Sequence, residues 1–575
     1  MKRAIISAIV LAAMAATGLF AQDHKDKEAS GFQFDPNSLV LSRSVYTGTA
    51  ATVTPNQVLP PGCVAGTITV PLIAGGTASV KVKCANAVDN GEYPNLLDTH
   101  NVWNNDGPDG SFGVTSPIFL DNLSTDGKLL GTLPVPDNLL VTSFSSKSEL
   151  AVNLSTDGKS ITFVGYRGGP GFVTGPNILD VSNSNTPGVI DTTNPVVSQY
   201  FRSVVEVDAH GNIQVTNGNA YSGNNGRAAI KANGIYYLTG NDNNGGLNTA
   251  QLTGTQIGQN LITSTGAELL VPNMAPPGPP HIDMIGDFEI AQAGYPSPPA
   301  PDKAGKDNNF RGLTIFNNTM YVTKGSGGNG INTVYQVGTA GILPTPSGAP
   351  GTPPSLKNVP ITILPGLPTT LASGEAQDLT MNHPVSFPFG IWFADANTLY
   401  VCDEGDGTLV SGQVINGTPN VADAATLATA GVQKWKLISG MWKLQYVLQD
   451  GLNLGVPYGV ANYPPSLNPA TDGCRNLTGR RNGDGTVTIY AVTSTISTNG
   501  DQGADPNKLV KVKDLLKATS LPIRSGDKDK DRDDDDGWGH FTTICSAQAG
   551  EVLRGISLAP RDHDGDQDDD RGNDH

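Results

Sequence analysis

The stretch Pro388-Phe-Gly-Ile-Trp-Phe-Ala-Asp-Ala-Asn-Thr-Leu-Tyr-Val-Cys-Asp403 decides the fold. An apolar and aromatic run reaches a short polar turn, Asp395-Ala396-Asn397, and a β-branched and aromatic run leaves it. That pattern describes a hairpin of two largely buried strands. The same logic recurs in Phe310–Gly325 around Asn317-Asn318, in Arg227–Gly240 around Asn233-Gly234, and in Leu150–Val164 around Asp157-Gly158. Such turn residues tolerate the positive φ angles that tight hairpins require. A fifth copy is expected to begin at Pro457-Tyr-Gly-Val-Ala-Asn462 and to resume, after an insertion, at Asp484–Tyr490.

Further strand-like runs follow each hairpin, among them Thr333–Val337, Val432–Leu437 with Trp442–Leu448, and Val204–Val207 with Asn212–Val215. The unit is therefore four strands, recurring every roughly 70–95 residues, and tandem four-stranded units point to an all-β propeller. Leu553–Leu558 reads as the first strand of one more unit. Ser38–Arg43 reads as a second strand with no first, followed by Pro117–Leu120 and Lys128–Leu133. One blade shared by both termini would close the ring and remove two exposed sheet edges. Six blades are expected, or seven if an insertion hides another.

The strand pairs, Pro388–Asp403 above all, are similar to those of the NHL, YVTN and gluconolactonase-like propellers, and the whole resembles secreted bacterial propeller proteins. The resemblance lies in strands and turns rather than in catalytic residues. The lactonase branch implies one divalent ion at the tunnel mouth, held by a Glu and amide oxygens. Glu149, Asn225 and Asn309 are the residues here that would correspond.

Around this core the expected layout is a signal peptide at 1–21, a flexible segment at 22–36 and the propeller at 37–560. The propeller carries an acidic insertion at 525–540, and a disordered acidic tail follows at 561–575. Lys2 and Arg3 precede an apolar run that ends near Phe20, which is a secretory rather than a membrane-spanning pattern. A secreted or periplasmic monomer without a membrane span is expected.

The net charge is −17. Residues 525–575 alone hold fifteen Asp or Glu against six Lys or Arg, a net of −9. Nucleic-acid binding needs the opposite sign and is excluded as an expectation. The five cysteines include Cys63 and Cys84, which bracket a short hairpin and are the expected disulfide. Cys402 is expected as a buried free thiol, and Cys474 with Cys545 is a second possible pair. No CxxC, GxSxG or HExxH motif occurs.

Aligning the copies yields the candidate site. The residue entering the inner strand is Arg227, Arg311 and Arg554 in three copies, Phe389 and Tyr458 in two, and Glu149 in the last. Asn225 and Asn309 stand two residues before the first two arginines. In a propeller these positions converge on one mouth of the central tunnel. Three guanidinium groups there suit a small anionic molecule or extracellular polymer. The competing reading makes each arginine a lock between adjacent blades. The spaced Asp runs at 527–536 and 562–570 suggest weak calcium binding or simply a solvated tail, because the EF-hand spacing fails at Gln567. The leading expectation is a non-enzymatic propeller binding an anionic ligand. The alternatives are a metal-dependent lactonase-type hydrolase and a calcium-linked extracellular structural protein.

Overall fold

A computed structural model describes residues 31–48, 53–71, 76–82, 84–90, 101–106, 113–179, 181–187, 194–241, 266–272, 286–287, 309–325, 330–345, 359–369, 386–407, 414–415, 418–419, 428–497, 503–521 and 538–562. The expected signal peptide, most of the expected acidic insertion and nearly all of the expected acidic tail lie outside them.

Six antiparallel four-stranded sheets make the propeller. Blade 1 joins Glu551–Leu558 to Leu39–Val45, Ile118–Leu123 and Leu129–Val135. Blade 2 is Asn153–Leu154, Ser160–Gly168, Tyr200–Asp208 and Ile213–Thr216. Blade 3 is Gly226–Ala232, Ile235–Gly240, Ala267–Leu270 and Gly286–Asp287. Blade 4 is Leu313–Phe316, Thr319–Lys324, Thr333–Val337 and Ile361–Ile363. Blade 5 is Pro388–Asp395, Thr398–Asp403, Gly431–Ile438 and Met441–Leu448. Blade 6 is Ala470–Arg481, Thr486–Ile496, Lys508–Leu515 and Thr542–Ser546.

The turns behave as their residues dictate. Asn317 and Asn318 take φ of 47° and 53°, and Asn233 takes 51° before Gly234. Both termini share blade 1, with Leu39 opposite Leu558 and Val45 opposite Glu551. Apolar side chains fill the seams between blades. One cluster joins Ile230 of blade 3, Val322 of blade 4 and Phe393 of blade 5. Another joins Leu39 of blade 1 to Val492 of blade 6.

Two expectations are corrected. The inner strand of blade 6 is Ala470–Arg481, not one starting at Pro457. Residues 457–462 form a loop in which the Tyr458 amide bonds the Pro469 carbonyl at 2.9 Å. The misplacement has a physical cause, because two irregularities in the blade 6 register, at 471/473 and 474/476, lengthen the strand and blur the repeat. The cysteine pairing also differs. Cys63–Cys84 is a disulfide with a Cα–Cα distance of 5.9 Å, as expected. Cys402, however, is bonded to Cys474 rather than free, and Cys545 is the unpaired thiol. Cys402 faces the seam between blades 5 and 6, and the inner strand of blade 6 brings Cys474 to the same seam.

At the axis the inner strands approach backbone to backbone. A Cβ built on Gly312 would lie 1.8 Å from the Phe389 carbonyl oxygen of blade 5. One on Gly390 would meet the Arg475 carbonyl of blade 6 at 2.7 Å. One on Gly555 would meet the Val152 amide nitrogen beside blade 2 at 2.3 Å. Gly312→Ala should therefore destabilise the fold by about 1–3 kcal/mol or more through overpacking. Gly459→Ala, where nothing stands within 4 Å, should be close to neutral. Denaturant midpoints of the two variants check this, and equal midpoints would contradict the close axial packing.

Candidate functional site

The tunnel mouth is built from the ends of the inner strands and from the segment that leads into blade 2. Thr142–Ser143 pairs with Thr115–Ser116 as a small sheet, and the Phe144 amide bonds the Val114 carbonyl at 2.8 Å. Held this way, residues 144–149 cross the positions where the arginines converge.

All three expected arginines point inward and are buried, at 2%, 7% and 3% exposure for Arg227, Arg311 and Arg554. Arg554 donates to the Ser146 carbonyl at 2.7 Å, to the Phe144 carbonyl, and to Ser44 Oγ at 3.1 Å. Arg311 donates to Ser148 Oγ, and its guanidinium lies 5.9 Å from the centre of the Phe389 ring. Arg227 donates to Asn309 Oδ1, to the Phe310 carbonyl at 2.7 Å and to Asn225 Oδ1 at 3.4 Å. Asn225 in turn donates to Ser146 Oγ at 3.1 Å. Arg227, Arg311 and Arg554 thus gather around the segment at 144–148.

Tyr458 is not part of this group. Its hydroxyl donates to the Pro506 carbonyl at 2.8 Å, and the Lys508 ammonium sits 3.5 Å above its ring. The matching position of blade 6 belongs to Arg475, which sequence reasoning missed. Arg475 is buried and pairs with Glu404 at 3.0 Å. Counting back six residues from the turn, as in the other copies, lands on Asn476, because the irregularity at 474/476 shifts the spacing by one.

Glu149 is buried beneath the mouth. Its Oε2 accepts from Thr142 Oγ1 at 2.9 Å and from the Ser143 amide at 3.0 Å, and its Oε1 accepts from the Tyr166 hydroxyl. Burial pushes the Glu149 carboxyl above the ordinary carboxylate range, against the pull of these donors and of Arg554. Next to it Arg202, buried against the Tyr166 ring, donates to the carbonyls of Asn224, Tyr200, Ser182 and Ser184. Burial pushes its pKa down to about 10.

Asp403 is a further buried acid, in a cluster with Glu404 and Asp406 whose sequence reads as an ordinary turn. It accepts from the Phe387 and Gly405 amides at 2.9 and 3.0 Å, from Gln433 Nε2 at 2.8 Å and from Ser386 Oγ at 3.1 Å. Burial nevertheless raises it to about 7, and the neighbouring Glu404 charge adds to the rise.

A divalent ion held by Glu149, Asn225 and Asn309 does not fit this geometry. Both Glu149 oxygens already accept hydrogen bonds, and the side-chain oxygens of Asn225 and Asn309 both accept from Arg227. Among the described residues no group of three or more His, Cys, Asp or Glu is placed to hold a metal. His210 is exposed and its Nε2 lies 3.1 Å from Asp562.

No protein-family profile matches the chain, and none of the curated proteins does. Among solved structures it is similar to a mutant of the NanB sialidase from Streptococcus pneumoniae at 7% identity, over 83% of this chain and 66% of that one, with a TM-score of 0.27. It is also similar to a mutant Synechocystis apocarotenoid oxygenase at 8% identity, over 84% and 91% of the two chains, with a TM-score of 0.26. The N-terminal domain of Nup159 is similar at 7% identity over 73% and 91%, with a TM-score of 0.25. At these scores the likeness carries no argument about activity, and the fold rests on the strand pairing described above.

Two outcomes follow. Arg554→Met should cost about 2–5 kcal/mol, because it strands the buried Phe144 and Ser146 carbonyls, and Arg554→Lys should recover only part of the loss. For Asp403 the folded-state pKa lies above the unfolded value of 3.8. The native state therefore holds the proton more tightly, and the contribution to stability is present below pH about 4 and lost as pH rises through about 7. In urea titrations across that window, Asp403→Asn should flatten the fall seen in the wild type. An unchanged slope would show that another group sets it.

Proposed function

We propose that this chain is an exported propeller that binds an anionic extracellular ligand without turning it over. The observation that carries this reading is the set of cations, Arg480, Lys511 and Lys513, lining a cleft on blade 6, away from a tunnel mouth filled by the protein's own loop. Arg554 and Asn225 hydrogen-bond Ser146, and Arg311 hydrogen-bonds Ser148. Cations that hold the protein's own loop serve as a rigid hub, so ligand contact falls to the blade surfaces rather than to the axis. Two disulfides are compatible with an oxidising compartment, and among the described residues no helix is long and apolar enough to cross a membrane.

The lactonase-type alternative has less support, since its three candidate ligand residues are engaged elsewhere. The calcium-linked structural reading rests on acidic runs almost wholly outside the described residues. The binding reading is tested by thermal shift and calorimetry with a panel of carboxylated, sulfated and phosphorylated probes. At least one probe should raise the melting temperature, and it should do so equally well in the Arg311→Lys variant. Binding that disappears in that variant, with the fold intact, would return the ligand to the tunnel. Hydrolysis of a lactone that Glu149→Gln abolishes would make the protein an enzyme.

A further inference from the structure

Blade 6 carries a second concentration of positive charge, separate from the axial ring. Pairing places Arg480, Thr488 and Lys513 in one row across three strands. Tyr490, Lys511 and Thr542 form the next row. Residues directly opposite one another share a sheet face, as do residues two apart along a strand, so both rows face the same way. Together with His540 they line a cleft of about 280 Å³ at the seam between blades 6 and 1. The blade 1 turn closes one side, where a Cβ on Gly127 would lie 2.1 Å from the Ile544 carbonyl oxygen.

The chemistry of the lining selects the ligand. Backbone spacing separates Lys511 from Lys513 by about 7 Å and Arg480 from Lys513 by about 10 Å, a spread of charge rather than a single point. The hydroxyls of Thr488 and Tyr490 stand on the strand between Arg480 and the two lysines, and Thr542 lies beyond Lys511 on the outer strand. At the rim Trp538 is 37% exposed, and the Lys513 ammonium lies 5.7 Å from its ring centre. Charges for acid groups, hydroxyls for hydroxyls and an aromatic face for a ring describe a site for an acidic sugar. The volume, near the lower end for small-ligand sites, suits a short segment rather than a bulky ligand. The net charge of −17 opposes a long nucleic acid, while screening beyond about 8 Å lets a local patch act.

We propose that this cleft binds an acidic saccharide through contacts of Arg480, Lys511 and Lys513 with its carboxylate or sulfate groups. The inference rests on the reading of the chain as an anion-binding module and gives that module a site. One acidic feature competes with the ligand. Asp126, 84% exposed, lies 3.6 Å from Lys511, a pair weak enough for a ligand to displace.

The test titrates the full chain with oligogalacturonate, a sulfated oligosaccharide, a neutral oligosaccharide of equal length, inorganic phosphate and a short single-stranded oligonucleotide. Either acidic saccharide should bind, with carboxylate and sulfate separated by the two arms, and the neutral one should not. Lys511→Glu and Lys513→Glu should each weaken binding by about tenfold or more without lowering the melting temperature, and Asp126→Asn should strengthen it. Saccharide binding that ignores both charge reversals would overturn the cleft while leaving the module reading intact. Phosphate or the oligonucleotide binding more tightly than either acidic saccharide would overturn the ligand class. No binding of any anion, by the wild type or by the Asp126→Asn variant, would overturn both readings.

Discussion

The structure depends on six neighbouring inner strands approaching one axis closely enough for their backbones to touch. Glycine makes three of these approaches possible, at Gly312, Gly390 and Gly555, where a methyl group would collide with the next blade. The other three use small or polar devices. Ala151 bridges Ala228 between blades 2 and 3, Arg227 bonds the Phe310 carbonyl between blades 3 and 4, and Asn476 Nδ2 bonds the Arg554 carbonyl at 2.7 Å between blades 6 and 1. Inner strands have one unpaired edge, and buried carbonyls along it require donors. A guanidinium offers five donors in a fixed fork; Arg227 and Arg554 use theirs on buried carbonyls, while Arg311 and Arg475 reach Ser148 Oγ and Glu404.

Charge is buried chiefly where blades meet. Lys434 of blade 5 reaches Asp514 of blade 6 at 2.8 Å, with neither side chain exposed, and Tyr400 and Tyr446 donate to the same carboxylate. Burial lowers the Lys434 pKa against the pull of Asp514. Lys231 of blade 3 pairs with Glu206 of blade 2 at 2.6 Å. Desolvation offsets much of the attraction in such pairs, so their contribution lies more in fixing which faces meet than in net stability. Apolar seams of Val, Leu and aromatic residues would permit sliding, and a buried ion pair with satisfied hydrogen bonds does not. A rigid ring of this kind leaves variation to the surfaces of its blades, where the cleft of blade 6 lies.

The hairpins were legible because their information is local. Asn233-Gly234 and Asn317-Asn318 carry their turn geometry in two residues, and alternation to either side names the strands. The closing blade was legible because Leu553–Leu558 lacks successors and Ser38–Arg43 lacks a predecessor. Blade 6 was misread because irregularities at 471/473 and 474/476 broke the spacing, so Tyr458 was taken where Arg475 belongs. The Cys402–Cys474 bond was missed because its two halves lie 72 residues apart in different blades. Asp403 and the Lys434–Asp514 pair gave no local signal, since burial of a charge is a property of the seam and not of the strand.

By itself the sequence determined the repeat, the all-β class, the shared closing blade and the convergence of Arg227, Arg311 and Arg554, because strand periodicity and turn chemistry act over a few residues. Only the tertiary structure decided what those arginines meet. Residues 144–148 come from a connection outside the repeat, and their position is set by packing against Val114 and Trp103 rather than by any pattern near the arginines. The cleft of blade 6 has the same origin. Its cations sit on two strands separated by a third, and the sheet register makes them neighbours.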